Sequence, residues 1–162
     1  MSIDAARQHL KRFGKDGDIL EFDTSSATVE LAANALGVPC SHIAKTISLV
    51  DGDSAMLVVA AGDVRLDNAK FRAAFGFKPR MLTSEQALYF TGHAVGGICP
   101  FGLIRPLRVF ADISLKRFHT VYPACRSANS AIPLTCDELF TIAGCIGWVD
   151  VCRPSPGAEN TG

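Results

Sequence analysis

Twelve residues, Thr91-Gly92-His93-Ala94-Val95-Gly96-Gly97-Ile98-Cys99-Pro100-Phe101-Gly102, hold four glycines and one proline between stretches of ordinary globular sequence. Glycine permits positive φ and close approach to the main chain, and proline fixes a turn while removing one donor. Such a loop displays backbone N–H groups, which suit a carbonyl or phosphate oxygen. The same composition also makes a wide structural turn, and the loop alone leaves both readings open. The second candidate is Lys45, in Ser41-His42-Ile43-Ala44-Lys45-Thr46-Ile47-Ser48-Leu49. Strand alternation places residues 43, 45, 47 and 49 on one face, so a cation sits among apolar neighbours. It either snorkels at the strand end or enters a pocket, where it would bind phosphate or stabilise charge developing on a reacting oxygen.

The remaining reactive side chains are less organised. None of the spacings among Cys40, Cys99, Cys125, Cys136, Cys145 and Cys152 is C-x-x-C, and their surroundings are core-like. Free buried thiols are expected, with neither disulfide nor metal, because free cysteine behaves as a small hydrophobe. Cys40 and His42 are too isolated for a metal site. Cys99, inside the loop, is the one thiol placed to act as a nucleophile, although nothing in the sequence lowers its pKa.

The elements that must position these residues follow from periodicity and punctuation. Helices are expected over Ser2 to Phe13 (stopped by Gly14), from a Ser25 or Ser26 cap through Leu36, over Asn68 to Phe75 behind Asp67, from Ser84 to Phe90, and from Cys136 to Gly144 with Thr135 as cap. Strands are expected at 19–22, 43–50, 55–61, 79–82, 107–111, 120–123, 131–134 and 148–151. The second and third of these join through Asp51-Gly52-Asp53, a hairpin signature. Helices and strands mix without strict βαβ alternation. The expected class is α+β, with a mixed, largely antiparallel sheet or partly closed barrel and helices around it.

At 162 residues, with 48% hydrophobic, 20% charged and 8% aromatic residues, the chain suits one globular domain. Its longest apolar runs fall short of the roughly 20 residues a bilayer span needs, and no secretion pattern opens the chain. A cytoplasmic protein without membrane partners is expected. Zero net charge argues against a broad nucleic-acid footprint and against DNA. From Arg65 to Arg126, however, ten basic residues face three acidic ones, so a basic face toward a polyanion and a scattered solvated set both remain open.

The segment Ile43-Ala44-Lys45-Thr46, the strand Val58-Val59-Ala60 leading to Arg65-Leu66-Asp67, and the loop Gly92-x-x-x-Gly96-Gly97-Ile98-Cys99-Pro100-Phe101-Gly102 together resemble the YbaK/EbsC (ProX-type) aminoacyl-tRNA editing domain. The resemblance runs over residues 1–153, and 154–162 are expected to be a disordered tail. It implies a trans-acting hydrolase that cleaves the ester of mischarged tRNA carrying a small amino acid such as alanine, cysteine or serine, with no cofactor. The implied catalytic set is Lys45, Gly96, Gly97, Ile98 and Pro100: the lysine engages the terminal nucleotide, and loop amides hold the aminoacyl carbonyl while the substrate's 2′-hydroxyl orients water. Substrate contacts are expected from Thr46, His93, Cys99, Phe101 and Gly102. Ser127 and Asn129 join them from Ala124-Cys125-Arg126-Ser127-Ala128-Asn129-Ser130, where this chain lacks the acid of some relatives. The implied partners are the acceptor end of tRNA and a synthetase or elongation factor. A non-catalytic nucleotide, aminoacyl-tRNA or synthetase-binding module is the alternative.

Overall fold

The Asp51-Gly52-Asp53 turn forms as its composition requires, with Gly52 at φ +61°. A computed structural model describes residues 3–94, 97–125, 127 and 129–156. In chain order its elements are α1 (Ile3–Lys11), β1 (Leu20–Glu21), α2 (Val29–Leu36), β2 (Ile43–Asp51), β3 (Ser54–Ala61), β4 (Val64–Leu66), α3 (Asn68–Phe75), α4 (Ser84–Thr91), β5 (Arg108–Asp112), β6 (Thr120–Pro123), β7 (Ser130–Ala131), β8 (Leu134–Thr135), α5 (Cys136–Ile142), β9 (Gly147–Val149) and β10 (Cys152–Pro154).

Six strands form one sheet in the order β8-β6-β2-β3-β5-β9, and β1-β7 and β10-β4 form two-stranded ribbons. The hairpin β2–β3 is antiparallel over eight residue pairs, whereas β6, β5 and β9 join the sheet in parallel. The sheet curls into a half-barrel with helices around it, the expected α+β class. Every residue of β3 after Ser54 is buried. A strand covered on both faces needs this unbroken apolar run. Under α3, Phe71 is fully buried and packs against Phe75 and Phe77 at ring-centroid distances of 4.7 and 5.5 Å. Each such side chain contributes about 1.5–3 kcal/mol through burial.

Some local expectations shift. The cap of α2 is Thr28, whose Oγ1 accepts from Leu31 N–H at 3.1 Å, in place of Ser25 or Ser26. Residues 79–82 supply only an isolated bridge from Met81 to Leu49. The strand expected at 131–134 divides into β7 and β8, because Pro133 has no N–H to give a ladder. The last strand is two: β9 ends at Val149, and β10 pairs with β4, setting Arg153 opposite Arg65. The expected tail therefore begins with ordered residues, since Pro154 lies in β10 and Ser155 N–H donates to Asp63 O at 2.9 Å. Residues 157–162 lie outside the described residues.

Candidate functional site

Lys45 does enter a pocket. It lines a cleft of about 230 Å³ together with Thr46 and Ile43 of β2, Ser26, Thr28 and Val29 at the start of α2, Ile98 of the glycine loop, Tyr122 of β6 and Ser130 of β7. Lys45 and Ile98 of the loop, about a third of the chain apart in sequence, thus line one cavity. Hydrogen-bonded strands and the α2 N-terminus supply its walls, and small side chains such as Ala32, Ala44 and Ala131 leave the space.

The Lys45 ammonium donates to the carbonyl of Val64, a β4 residue outside the cleft lining. Burial lowers its pKa from the ordinary lysine value, and the nearby Cys152, Asp63 and Glu30 oppose that shift. Asp63 is held below the usual carboxylate range chiefly by Arg117, whose guanidinium donates to both carboxylate oxygens at 3.0 and 2.5 Å. That carboxylate's charge is therefore mostly spent on Arg117.

The loop is anchored at both ends. Gly92, at φ +78°, caps α4 with its N–H on Leu88 O, and His93 N–H donates to Thr91 Oγ1 at 2.9 Å. At the far end Gly102, at φ +64°, lies against the α1 backbone, and its N–H donates to His9 Nδ1 at 3.1 Å. The other ring nitrogen, Nε2, lies 2.6 Å from Ile142 O, so it carries the proton in neutral His9. Burial is the main cause that lowers the His9 pKa, and Arg12 adds to it against the Ile142 bond.

Of the residues expected at the site, Lys45, Thr46 and Ile98 line the cleft. Gly96 lies outside the described residues. The Gly97 N–H donates to Ala94 O at 3.0 Å, so this amide closes the turn. Pro100 is buried and lines a separate surface hollow with His9 and Leu103. His93, expected to donate to substrate, is fully buried, as are Cys99 and Phe101. The Cys99 Sγ stands 3.8 Å from His93 Nε2 and 3.6 Å from Phe101 O. Phe101 packs edge-on against His9 at 5.7 Å. These residues shape the loop from beneath it. Asn129 is a staple between chain segments, its Nδ2–H donating to Phe22 O at 3.0 Å and its own carbonyl accepting from Phe22 N–H at 2.8 Å. Ser127 Oγ bonds Asn129 Oδ1 and Ser130 Oγ at 3.0 and 2.6 Å. Neither Ser127 nor Asn129 is among the cleft-lining residues.

Sequence reasoning missed Ser26, Val29, Tyr122 and Ser130 as cleft residues. The signal for Ser26 was present, but serines before a helix read first as caps. All six cysteines are free. Burial pushes the Cys145 and Cys152 thiols up to about 12 and Cys125 higher still. Among the described residues no group of three His, Cys, Asp or Glu side chains could hold a metal ion, and no helix is long and apolar enough to cross a membrane.

The family model of the aminoacyl-tRNA editing domain matches residues 23–142, a span that contains every residue lining the cleft. The chain belongs to this aminoacyl-tRNA editing domain family. It is 51% identical over 154 residues to the uncharacterized protein YwhH of Bacillus subtilis (strain 168), covering 94% of this chain and 98% of that protein. It is 34% identical over 90 residues to the proline–tRNA ligase of Nitratidesulfovibrio vulgaris, a match that covers 55% of this chain and 16% of the ligase. A crystal structure described as that of a candidate trans-editing enzyme for prolyl tRNA synthetase superposes with a TM-score of 0.85 at 27% identity, covering 94% of this chain and 99% of the other.

Proposed function

We propose that this protein is a trans-acting aminoacyl-tRNA deacylase that hydrolyses the ester joining a small, wrongly attached amino acid to the 3′ end of tRNA. The observation that carries the reading is the convergence of Lys45 and the glycine loop, through Ile98, on one small cleft. Family membership and the trans-editing neighbour support it. In this reading the terminal nucleotide lies across the mouth of the cleft against the Lys45 ammonium, and the aminoacyl group enters it. Water attacks the ester carbonyl carbon, the carbonyl oxygen gains negative charge against loop amides and the nearby cation, and the carbon–oxygen bond to ribose breaks. The ribose oxygen leaves with a proton, releasing free amino acid and intact tRNA. An activated ester needs electrostatic stabilisation more than a dedicated nucleophile. Cys99 therefore takes no part, consistent with its burial. The partner is the acceptor end of tRNA, delivered from a synthetase or elongation factor in the cytoplasm.

The test is a panel of mischarged tRNAs incubated with wild-type protein and with Lys45→Ala. Loss of a charged group that stabilises the transition state lowers the rate by about 10²-fold or more. Deacylation no faster than in buffer, or unchanged by the substitution, overturns the proposal. Tight binding of a nonhydrolysable aminoacyl-adenosine analogue without turnover would instead identify a binding module.

A further inference from the structure

The β4–β10 ribbon sets Arg65 directly opposite Arg153. Both are exposed, while Val64 and Cys152 beside them are buried, so the two arginines share the outer face of the ribbon. Directly opposite residues stand about 4.5–5.5 Å apart at Cβ, and like charges there destabilise the pair. Neither guanidinium makes a hydrogen bond or ion pair among the described residues. The acids around the ribbon are held by other groups. Arg117 binds both oxygens of Asp63, and Lys70 Nζ binds Asp150 at 3.0 Å. Asp67 caps α3 on the Lys70 N–H at 3.0 Å, which chiefly holds its carboxyl below the usual range, with Arg153 a lesser cause. The ribbon borders the cleft at two points. Lys45 donates to the Val64 carbonyl, in the peptide that leads into Arg65. Gly62, two residues before β4, packs so closely on the cleft that a Cβ there would stand 2.7 Å from Val29 Cγ1. Three cations are thereby gathered at one edge of the cleft, two of them facing solvent without a counter-ion.

We infer that Arg65 and Arg153 form a phosphate clamp for the acceptor strand of tRNA, holding a backbone phosphate next to the aminoacylated 3′ end that Lys45 meets. The inference rests on the deacylase reading above and deepens it, by assigning residues outside the cleft to the polynucleotide. A phosphate between two guanidiniums replaces their mutual repulsion with two charge-assisted attractions, and the planar fork of arginine matches its oxygens. A strand that brings its 3′ end to Lys45 carries its next phosphates beside that lysine, and the ribbon is the element bonded to it there. Zero net charge is compatible with such a clamp, because one opposed pair acts locally and needs no broad basic field.

The experiment follows deacylation of the most rapidly cleaved mischarged tRNA across a KCl series for wild type, Arg65→Gln, Arg153→Gln, the double variant and Arg12→Gln, with thermal unfolding of each. Arg12 is exposed and lines the separate hollow with His9 and Pro100, so its variant loses the same charge away from the ribbon. One phosphate contact to a single strand contributes about 0.7 to the slope of log affinity against log salt. Each ribbon substitution is expected to flatten the slope of log kcat/KM by about 0.7, through KM with kcat kept, and the double variant by about twice as much. Arg12→Gln is expected to keep the wild-type slope. The Tm of the ribbon variants is expected to equal or exceed that of wild type, since a repulsion is removed. A wild-type slope in the ribbon variants, an equal flattening by Arg12→Gln, or a loss of kcat with lowered Tm overturns the inference and leaves the deacylase reading standing. Absence of wild-type turnover on every mischarged tRNA overturns both.

Discussion

Replacing Gly102 by alanine tests the loop's anchorage directly. Two costs combine there. The residue sits at φ +64°, where a side chain costs about 1–2 kcal/mol. A Cβ would also stand 2.6 Å from the Ala5 carbonyl carbon and oxygen and 2.9 Å from Ala6 N. These are backbone atoms of α1 and cannot swing aside as a flexible side chain would, so overpacking adds about 1–3 kcal/mol. Taken together, roughly 3 kcal/mol corresponds to about 6–12 °C in Tm for a domain of this size. Gly76→Ala is the matched control, because Gly76 has φ +82° but nothing within 4 Å of its Cβ position; it bears the backbone cost alone. Thermal unfolding followed by circular dichroism, repeated in urea, compares the two. Gly102→Ala is expected to melt several degrees below Gly76→Ala and to lose deacylation as α1 and the loop separate. Equal midpoints for the two variants would refute the claim that close packing on α1 fixes the loop.

His9 ties α1, the loop and α5 in its neutral form, and its pKa is lowered mainly by burial. The unfolded chain therefore takes up the proton first, and the stability His9 contributes above the ordinary value of 6.5 is lost as pH falls through its folded pKa. A stability–pH curve for His9→Gln is expected to be flatter than wild type below that value, and parallel curves would contradict it. At Gly62 a Cβ would collide with the Cys40 carbonyl oxygen and approach Val29 Cγ1 at 2.7 Å. Gly62→Ala should therefore lower Tm and slow deacylation by displacing the α2 wall, and an unaltered kcat/KM would speak against that link. Alkylation at neutral pH should reach Cys40 well before Cys125, Cys145 and Cys152, whose buried thiols resist ionisation. Mass spectrometry of a labelling time course reads this order, and Cys99→Ser should retain full deacylation.

What the sequence disclosed was local. Asp67 caps α3, Thr135 and Glu138 close a capping box on α5, and Gly52 turns the hairpin, because each depends on neighbours within a few residues. That Lys45 lies on the first strand of the Asp51-Gly52-Asp53 hairpin was likewise legible. The cap of α2 was not: Thr24, Ser25, Ser26 and Thr28 all have capping chemistry, and only the phase of the packed helix selects Thr28. Burial of His93 and Cys99 came from what lies beneath the loop, and the Asn129 staple to Phe22 joins residues 107 apart, beyond any window of periodicity. The cleft was readable as two ingredients. Its walls were not, because Tyr122 and Ser130 reach it through β6 in parallel with β2 and through the ribbon β1–β7.

Part of the wall that Lys45 shares is made late. A ribosome adding about 5–20 residues per second completes the β2–β3 hairpin roughly 3.5–14 s before Ala131 is joined to the chain. Val64 is likewise translated long before Cys152–Pro154, the strand that pairs with it. A nascent chain thus holds Lys45 before the residues that complete its cleft have been added. The cleft can close around Lys45 only once β7 has been added, so a chain cut short of β7 lacks part of that wall.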